Sequence, residues 1–416
     1  MVRENEVRAE EFTRNERVQR AVDGLERAVE DRPISDLVDG EGNQYVDLVM
    51  EGGGTLGIAL LGYVYALEQA RIRFLDIGGT SAGAITAMLL AAADTRDKPK
   101  SERLLEMLAS QNIGDFVDGD MGVRNFIRIW LAKRPKLLKL LLVPFGPLAF
   151  NALLNNLGLN PGRVFQDWMA KKLAASGIQT VEELNARMKW LPPTLQRRDG
   201  KTFSKDDLDC HLALIASEVV TESKIEFPRM AELFWEDWKQ QNPAVFVRAS
   251  MSVPFFFYPM TVNLPRMGEQ ELKEKWGRMV GFEDVEPGME CHLIDGGIMS
   301  NFPINVFHGE GEPSAPTFGV RLGNRQKHVI RKPGDLGKAV FESARHTLDY
   351  DFILQHPDYK HLLAHIETGE HKWLDFELSR EAQVDLFARG VEKGADFVRT
   401  FHWEGYKEAR RKLAQA

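Results

Sequence analysis

Ser81 stands between Gly79 and Gly83 in the stretch GGTSAGA (residues 78–84), directly after the apolar run IRFLDI (72–77). Small residues crowded around one hydroxyl fit a sharp strand-to-helix turn, where backbone packs on backbone and glycine tolerates both the contact and positive φ. A serine presented on such a turn is a candidate nucleophile. Upstream lies a second glycine-rich stretch, Gly52-Gly53-Gly54-Thr55-Leu56-Gly57. Alone, it could cradle a phosphate, form an oxyanion hole or simply turn the chain. It does not fit G-x-G-x-x-G with a ribose-binding acid about 20 residues on, and it lacks the Gly-Lys-Ser/Thr ending of a P-loop. Far downstream, Asp295-Gly296-Gly297 follows the strand-like Leu293-Ile294. Asp-Gly-Gly is also a common structural turn, but here it puts a carboxylate where a base for Ser81 could stand.

These groups need elements to position them. YVDLVM (45–50) reads as a short buried strand, EGGGTLG (51–57) as a loop, IALLGYVYALEQA (58–70) as a helix and IRFLDIG (72–78) as a second strand. The helix AITAMLLAAA (84–93) follows the serine turn. Strand, helix, strand is a βαβ unit, which makes the two strands parallel neighbours. Loop and serine turn then share the carboxyl end of the sheet, each opening a helix whose first N–H groups lack partners. N–H donors converging beside a nucleophile are what acyl transfer requires, each worth about 3 kcal/mol of transition-state stabilisation.

Taken together, these motifs resemble those of the patatin-like phospholipases, lipid acyl hydrolases with a Ser-Asp dyad. The resemblance implies that Ser81 is the nucleophile and Asp295 the base. It places the oxyanion hole at Gly52, Gly53, Gly54 and Ala82, and makes Gly57, Gly79, Gly83, Gly296 and Gly297 motif glycines. VRASMSVPFFFYP (247–259) and Asn301-Phe302-Pro303 resemble further stretches of the family, and the likeness spans residues about 45 to 310. The implied fold is a three-layer α/β fold with a mostly parallel central sheet flanked by helices, extended by helices at both ends. Many relatives carry Lys or Arg before the loop's last glycine, where this chain has Leu56, so no side-chain cation is expected there. The implied chemistry needs no metal or cofactor. Its substrate is a phospholipid or another acyl-ester lipid, of which phospholipase A and lysophospholipase action are the leading forms. A soluble-ester hydrolase, thioesterase or acyltransferase using the same site is one alternative, and a non-catalytic lipid-binding protein, which would need neither Ser81 nor Asp295, is another.

The remaining sequence sets bounds. The chain has 416 residues and a net charge of −8, which argues against a generic nucleic-acid binder. Two cysteines, Cys210 and Cys291, are too few for a disulfide framework. No uncharged apolar run approaches the roughly 20 residues of a spanning helix, and the charged N-terminus has no signal-peptide core. The expectation is a soluble, cytoplasmic protein that meets lipid peripherally; its oligomeric state is not legible. Three parts are expected: a charged helical arm (1–43), a catalytic domain (44–325) and a helical region packed on the core (326–416). In the arm, Val18, Val22, Leu25 and Val29 form one apolar stripe on one helix. RMGEQELKEKWGRMVGFEDVEPG (266–288) reads as a polar surface insertion. Cys210-His211 and Cys291-His292 could suggest a metal site, but strand neighbours face opposite ways, so each pair offers one ligand to a common point. A Ser-His-Asp triad through His308 or His346 is the other hydrolase reading, although neither histidine stands in a marked turn.

Residues 121 to 150 contain Arg124, Arg128, Lys133, Arg134, Lys136 and Lys139 and no acid, interleaved with Trp130 and many apolar side chains. That composition suits an interfacial helix meeting anionic head groups. A buried helix pair is the competing reading, and Pro135 interrupts the pattern. Replacing Lys133, Arg134, Lys136 and Lys139 with glutamate should weaken sedimentation with anionic vesicles while sparing turnover of a soluble ester. Unchanged vesicle binding would leave the segment as core or lid.

Overall fold

The computed structural model describes residues 7–30, 32–111, 113–131, 146–200, 208, 210–323, 330–373, 375 and 378–414. Strand β1 (Gln44–Met50) is buried along almost its whole length, as the middle of a parallel sheet requires. Helix α1 (Gly57–Gln69) returns the chain to strand β2 (Ile72–Thr80), which pairs with β1 in parallel and places Met50 opposite Gly79. Helix α2 (Ala82–Ala93) follows at once. The sheet continues through β3 (Leu212–Glu218), to which β4 (Ser223–Phe227) adds an antiparallel partner. After helix α3 (Ala244–Ser250) come β5 (Met260–Asn263), β6 (Glu290–Asp295) and β7 (Thr317–Leu322). Helix α4 (Pro333–Gln355), strand β8 (Leu363–Ile366) and helix α5 (Arg380–Thr400) complete the frame.

The sheet order is β8-β7-β1-β2-β3-β6-β5. Pairings from β8 to β3 are parallel, whereas β6 runs antiparallel to both β3 and β5. This is the mostly parallel, helix-flanked sheet that the sequence implies. One difference is β8: reading everything after residue 325 as helical misses a strand that enters the central sheet. Leu-Ala-His-Ile is too short to show a period of its own.

The N-terminal stripe also differs. Helices Glu16–Val22 and Leu25–Glu30 replace the single expected helix, broken at Gly24 with φ 66. Val18, Leu25 and Val29 are nevertheless buried, and Arg17 is tied to Asp385 and Glu392 of α5 at 2.6 and 2.7 Å. The expected polar insertion contains helix Glu269–Val280, which buries Leu272 and Trp276. At the other end, Trp403 Nε1 and Lys407 Nζ both donate to the buried Asp36 carboxylate, at 2.7 and 2.9 Å.

Helix α1 lies directly against α5, so closely that a Cβ on Gly390 would overlap the Ala59 carbonyl. Gly390→Ala should therefore lower the unfolding free energy by about 1–3 kcal/mol, the usual range for overpacking. Gly337, in α4 with open space around it, provides the control: Gly337→Ala should raise stability by up to about 1 kcal/mol. Urea unfolding of the two variants checks both signs.

Candidate active site

Thr80 ends β2, and the chain turns into α2 within one residue. Ser81 makes that turn at φ 53 and ψ −115, a conformation costing a non-glycine residue of order 1–3 kcal/mol. Gly83 permits it, because a Cβ there would overlap the Met50 carbonyl at the end of β1. Gly79 permits it from the other side, since its Cβ would lie 2.5 Å from the Gly83 backbone. The Ser81 N–H donates to Ser250 Oγ at 3.0 Å, and Ser250 Oγ donates to the Ile215 carbonyl at 2.6 Å. The end of α3 thus pins the turn to β3.

The glycine loop lies one strand away. Gly52 N–H donates to the Asn301 carbonyl at 2.9 Å and Thr55 N–H to the Trp373 carbonyl at 2.9 Å, so those groups hold the loop, and the Gly52 N–H expected in the oxyanion hole is already engaged. Gly54 takes a left-handed φ of 55. Among the described residues, the N–H groups of Gly53, Gly54 and Ala82 donate to no protein acceptor outside regular helix pairing. Leu56 is buried in the core, and Gly57 lies against Ala82, with room for a Cβ at 3.4 Å. Glu51, at the mouth of the loop, receives the Leu322 N–H at 2.6 Å and lies 3.5 Å from Arg321.

Register brings Asp295 to the same end. Thr80 pairs with Ile215 on β3, and the next β3 residue, Ala216, pairs with Asp295 on β6. A Cβ on Gly296 would overlap the Ile215 carbonyl, which forces the Asp-Gly-Gly turn to hug β3. Asp295 N–H donates to the Ser252 carbonyl at 2.9 Å, and its Oδ1 accepts the Gly297 N–H at 2.7 Å. Burial pushes the Asp295 carboxyl above its ordinary range, while the Arg345 charge, a hydrogen bond with Ser81 and the Gly297 N–H pull it back.

Two cavities meet at this point, sharing Gly54, Ser81, Val253 and Trp373. The larger, about 120 Å³, is apolar and aromatic, with Ile58, Ile85, Phe116, Phe165, Trp168 and Phe257 in its wall. The smaller, about 10 Å³, is walled by Asp295, Arg345 and Ile298; it is the size of one water molecule.

Ser81, Ala82, Gly54 and Asp295 are thus brought together. Gly53 packs on Leu322 and lines neither cavity. Sequence reasoning missed Arg345 and Trp373, which come from the C-terminal part of the chain with no motif around them. Ser250 and Ser252 fell inside a stretch noted only for its resemblance. His308 bonds to the Tyr359 hydroxyl at 2.8 Å, away from both cavities; the His346 side chain lies outside the described residues. Cys210 and Cys291 are buried and not joined in a disulfide, with His211 packed on Phe307 and His292 bonded to Thr261. No cluster of three possible metal ligands occurs among the described residues.

Of the cationic segment, Arg124 is exposed on helix Met121–Leu131, which buries Val123 and Ile127. The side chains of Arg128 and Trp130, and the whole of Lys133, Arg134, Lys136 and Lys139, lie outside the described residues. No described helix is long and apolar enough to cross a membrane.

Comparison with known proteins bears on this geometry. The uncharacterized protein YqhO of Bacillus subtilis is 27% identical over 359 residues, covering 85% of this chain and 98% of that protein. Among solved structures, VipD from Legionella pneumophila aligns with a TM-score of 0.42 at 14% identity, over 89% of this chain and 70% of its own. The type III effector ExoU of Pseudomonas aeruginosa aligns at 0.33 and 14% over 89% of this chain, which spans 55% of ExoU. The patatin-like phospholipase model matches residues 48–308, from within β1 to beyond the Asp-Gly-Gly turn. This chain belongs to the patatin-like phospholipase family, and its activity in general terms is the hydrolysis of lipids.

Proposed function

We propose that the protein is a serine-dependent acyl hydrolase of the phospholipase A or lysophospholipase type, working through Ser81 and Asp295. One observation carries the reading: Ser81 sits on a strained turn where an apolar cavity meets the cavity of a buried carboxylate. An acyl chain occupies the apolar cavity, and its carbonyl carbon lies at Ser81 Oγ. As Oγ attacks, Asp295 accepts the hydroxyl proton. The negative oxygen of the tetrahedral intermediate is received by the N–H groups of Gly53, Gly54 and Ala82. Collapse expels the alcohol, which takes the proton from Asp295 and leaves an ester on Ser81. Water then gives a proton to Asp295 as it attacks that ester; on collapse Ser81 Oγ leaves with that proton, which frees the fatty acid and restores both serine and carboxylate. A carboxylate is a weak base for serine, and burial strengthens it here.

The reading extends to a lipid surface, which the acid-free segment around Arg124 would meet with its cations, each worth on the order of 1 kcal/mol near anionic lipid.

Two tests separate this mechanism from its competitors. Asp295→Asn keeps the shape but removes the proton acceptor, so fatty acid release should fall at least about a hundredfold. Activity within a few-fold of wild type would overturn the base. A fluorophosphonate should label the protein once, on Ser81; labelling retained by folded Ser81→Ala would overturn the nucleophile. A panel of phospholipids, lysolipids, glycerides and short esters defines the substrate, and turnover confined to short esters would reject the phospholipase reading.

A further inference from the structure

The glycine loop carries no side-chain cation of its own, yet a cation stands at the nucleophile. Arg345 belongs to α4, beyond the family segment, and walls the one-water cavity together with Ser81, Gly54 and Asp295. Its guanidinium donates to Asn301 Oδ1 at 2.6 Å and lies over Trp373 at 5.6 Å. Asn301 in turn donates to the Gly52 carbonyl at 3.2 Å, so Arg345 is held by the same residue that anchors the loop. A methyl placed on Gly297 would lie 2.8 Å from Asp295 Oδ1, 2.7 Å from Asn301 Oδ1 and 3.2 Å from an Arg345 η nitrogen. Carboxylate, amide and guanidinium converge on that one point.

We infer that Arg345 is the counter-charge of Asp295, a positioning residue that acts on the reaction through this base. The inference rests on the dyad reading above. A carboxylate taken out of water becomes protonated unless a cation or several donors answer it, and among the described residues the backbone donor to the Asp295 carboxylate is the Gly297 N–H.

Among the described residues, the other charged groups of the elements packed around Asp295 have partners of their own, and Glu342 shares Arg345 with it. On α4, Glu342 lies 4.0 Å from Arg345, and Asp349 accepts from Ser300 Oγ and the Phe302 N–H, each at 2.7 Å. Glu51 is beside Arg321. On α3, Arg248 donates to Ser252 Oγ and to the carbonyls of Pro161 and Tyr258. On β3, Glu218 accepts from the N–H groups of Val220, Thr221 and His292.

A nearby cation favours the ionised carboxylate, and only that form can take the Ser81 proton. Removing the cation therefore moves the acidic limb of the activity profile to higher pH.

The test is the pH dependence of kcat/KM for a soluble, uncharged short-chain p-nitrophenyl ester, with wild type, Arg345→Met, Arg345→Gln and Arg345→Lys. The Met and Gln variants should shift the acidic limb up by at least about one pH unit, read as tenfold lower kcat/KM on the acidic side. The loss should fall on kcat, with activities converging at alkaline pH. Arg345→Lys should restore most of the limb, and thermal unfolding selects the variants that are folded. An unmoved limb in a folded Met or Gln variant overturns the inference, as does a loss confined to KM. Asp295→Asn, run alongside, keeps the two readings apart. If Asp295→Asn is inactive and the limb is unmoved, only Arg345 loses its role. If Asp295→Asn is active, the base assignment itself fails.

Discussion

The contact between Gly83 and the Met50 carbonyl is the constraint on which the rest of the site depends. It lets α2 begin directly against the end of β1, and it holds Ser81 at φ 53 on the turn. Any side chain at 83 would push the helix away from the sheet and take the serine with it. The strain is opposed by the Ser81 N–H bond to Ser250 and by the Ser250 bond to Ile215. These tie the turn to β3, the strand that also carries the partner of Asp295. Ser81 and Asp295 are thus positioned by one sheet and one short helix, without a long loop between them.

A second constraint is electrostatic. Glu51, Asp295 and Asp349 are buried carboxylates around one corner of the fold, and burial raises all three above their ordinary range, Asp349 to about 6. Each is answered differently. Glu51 has Arg321 and the Leu322 N–H; Asp349 has the Ser300 hydroxyl and the Phe302 N–H; Asp295 has Ser81, Gly297 and Arg345. Asp349 and Arg345 lie one turn apart on α4, so this helix both fixes the chain after the Asp-Gly-Gly turn and brings positive charge to it. The C-terminal third of the protein is therefore part of the site's electrostatics as well as its packing.

The βαβ unit, the serine turn and the Asp-Gly-Gly turn were legible in the sequence because each has a local cause. Buried parallel strands read as apolar runs, and tight backbone approaches demand glycine at Gly79, Gly83 and Gly296. Arg345 and Trp373 were not legible, since their roles arise only when α4 and the segment after β8 fold back over the glycine loop. Nor was the break at Gly24: the apolar stripe runs through it at helical spacing, and the packing on α5 is made by two short helices. Strand β8 was hidden by its length. What escaped was long-range, where no local pattern marks a residue.

A nucleophilic Ser81 must carry the acyl group during turnover. Rapid-quench mass spectrometry of the enzyme turning over a phospholipid or short ester measures this directly. A transient mass gain equal to the acyl group is expected, on the peptide that contains Ser81. Sustained fatty acid release with no such adduct, or with the adduct on another residue, would contradict it.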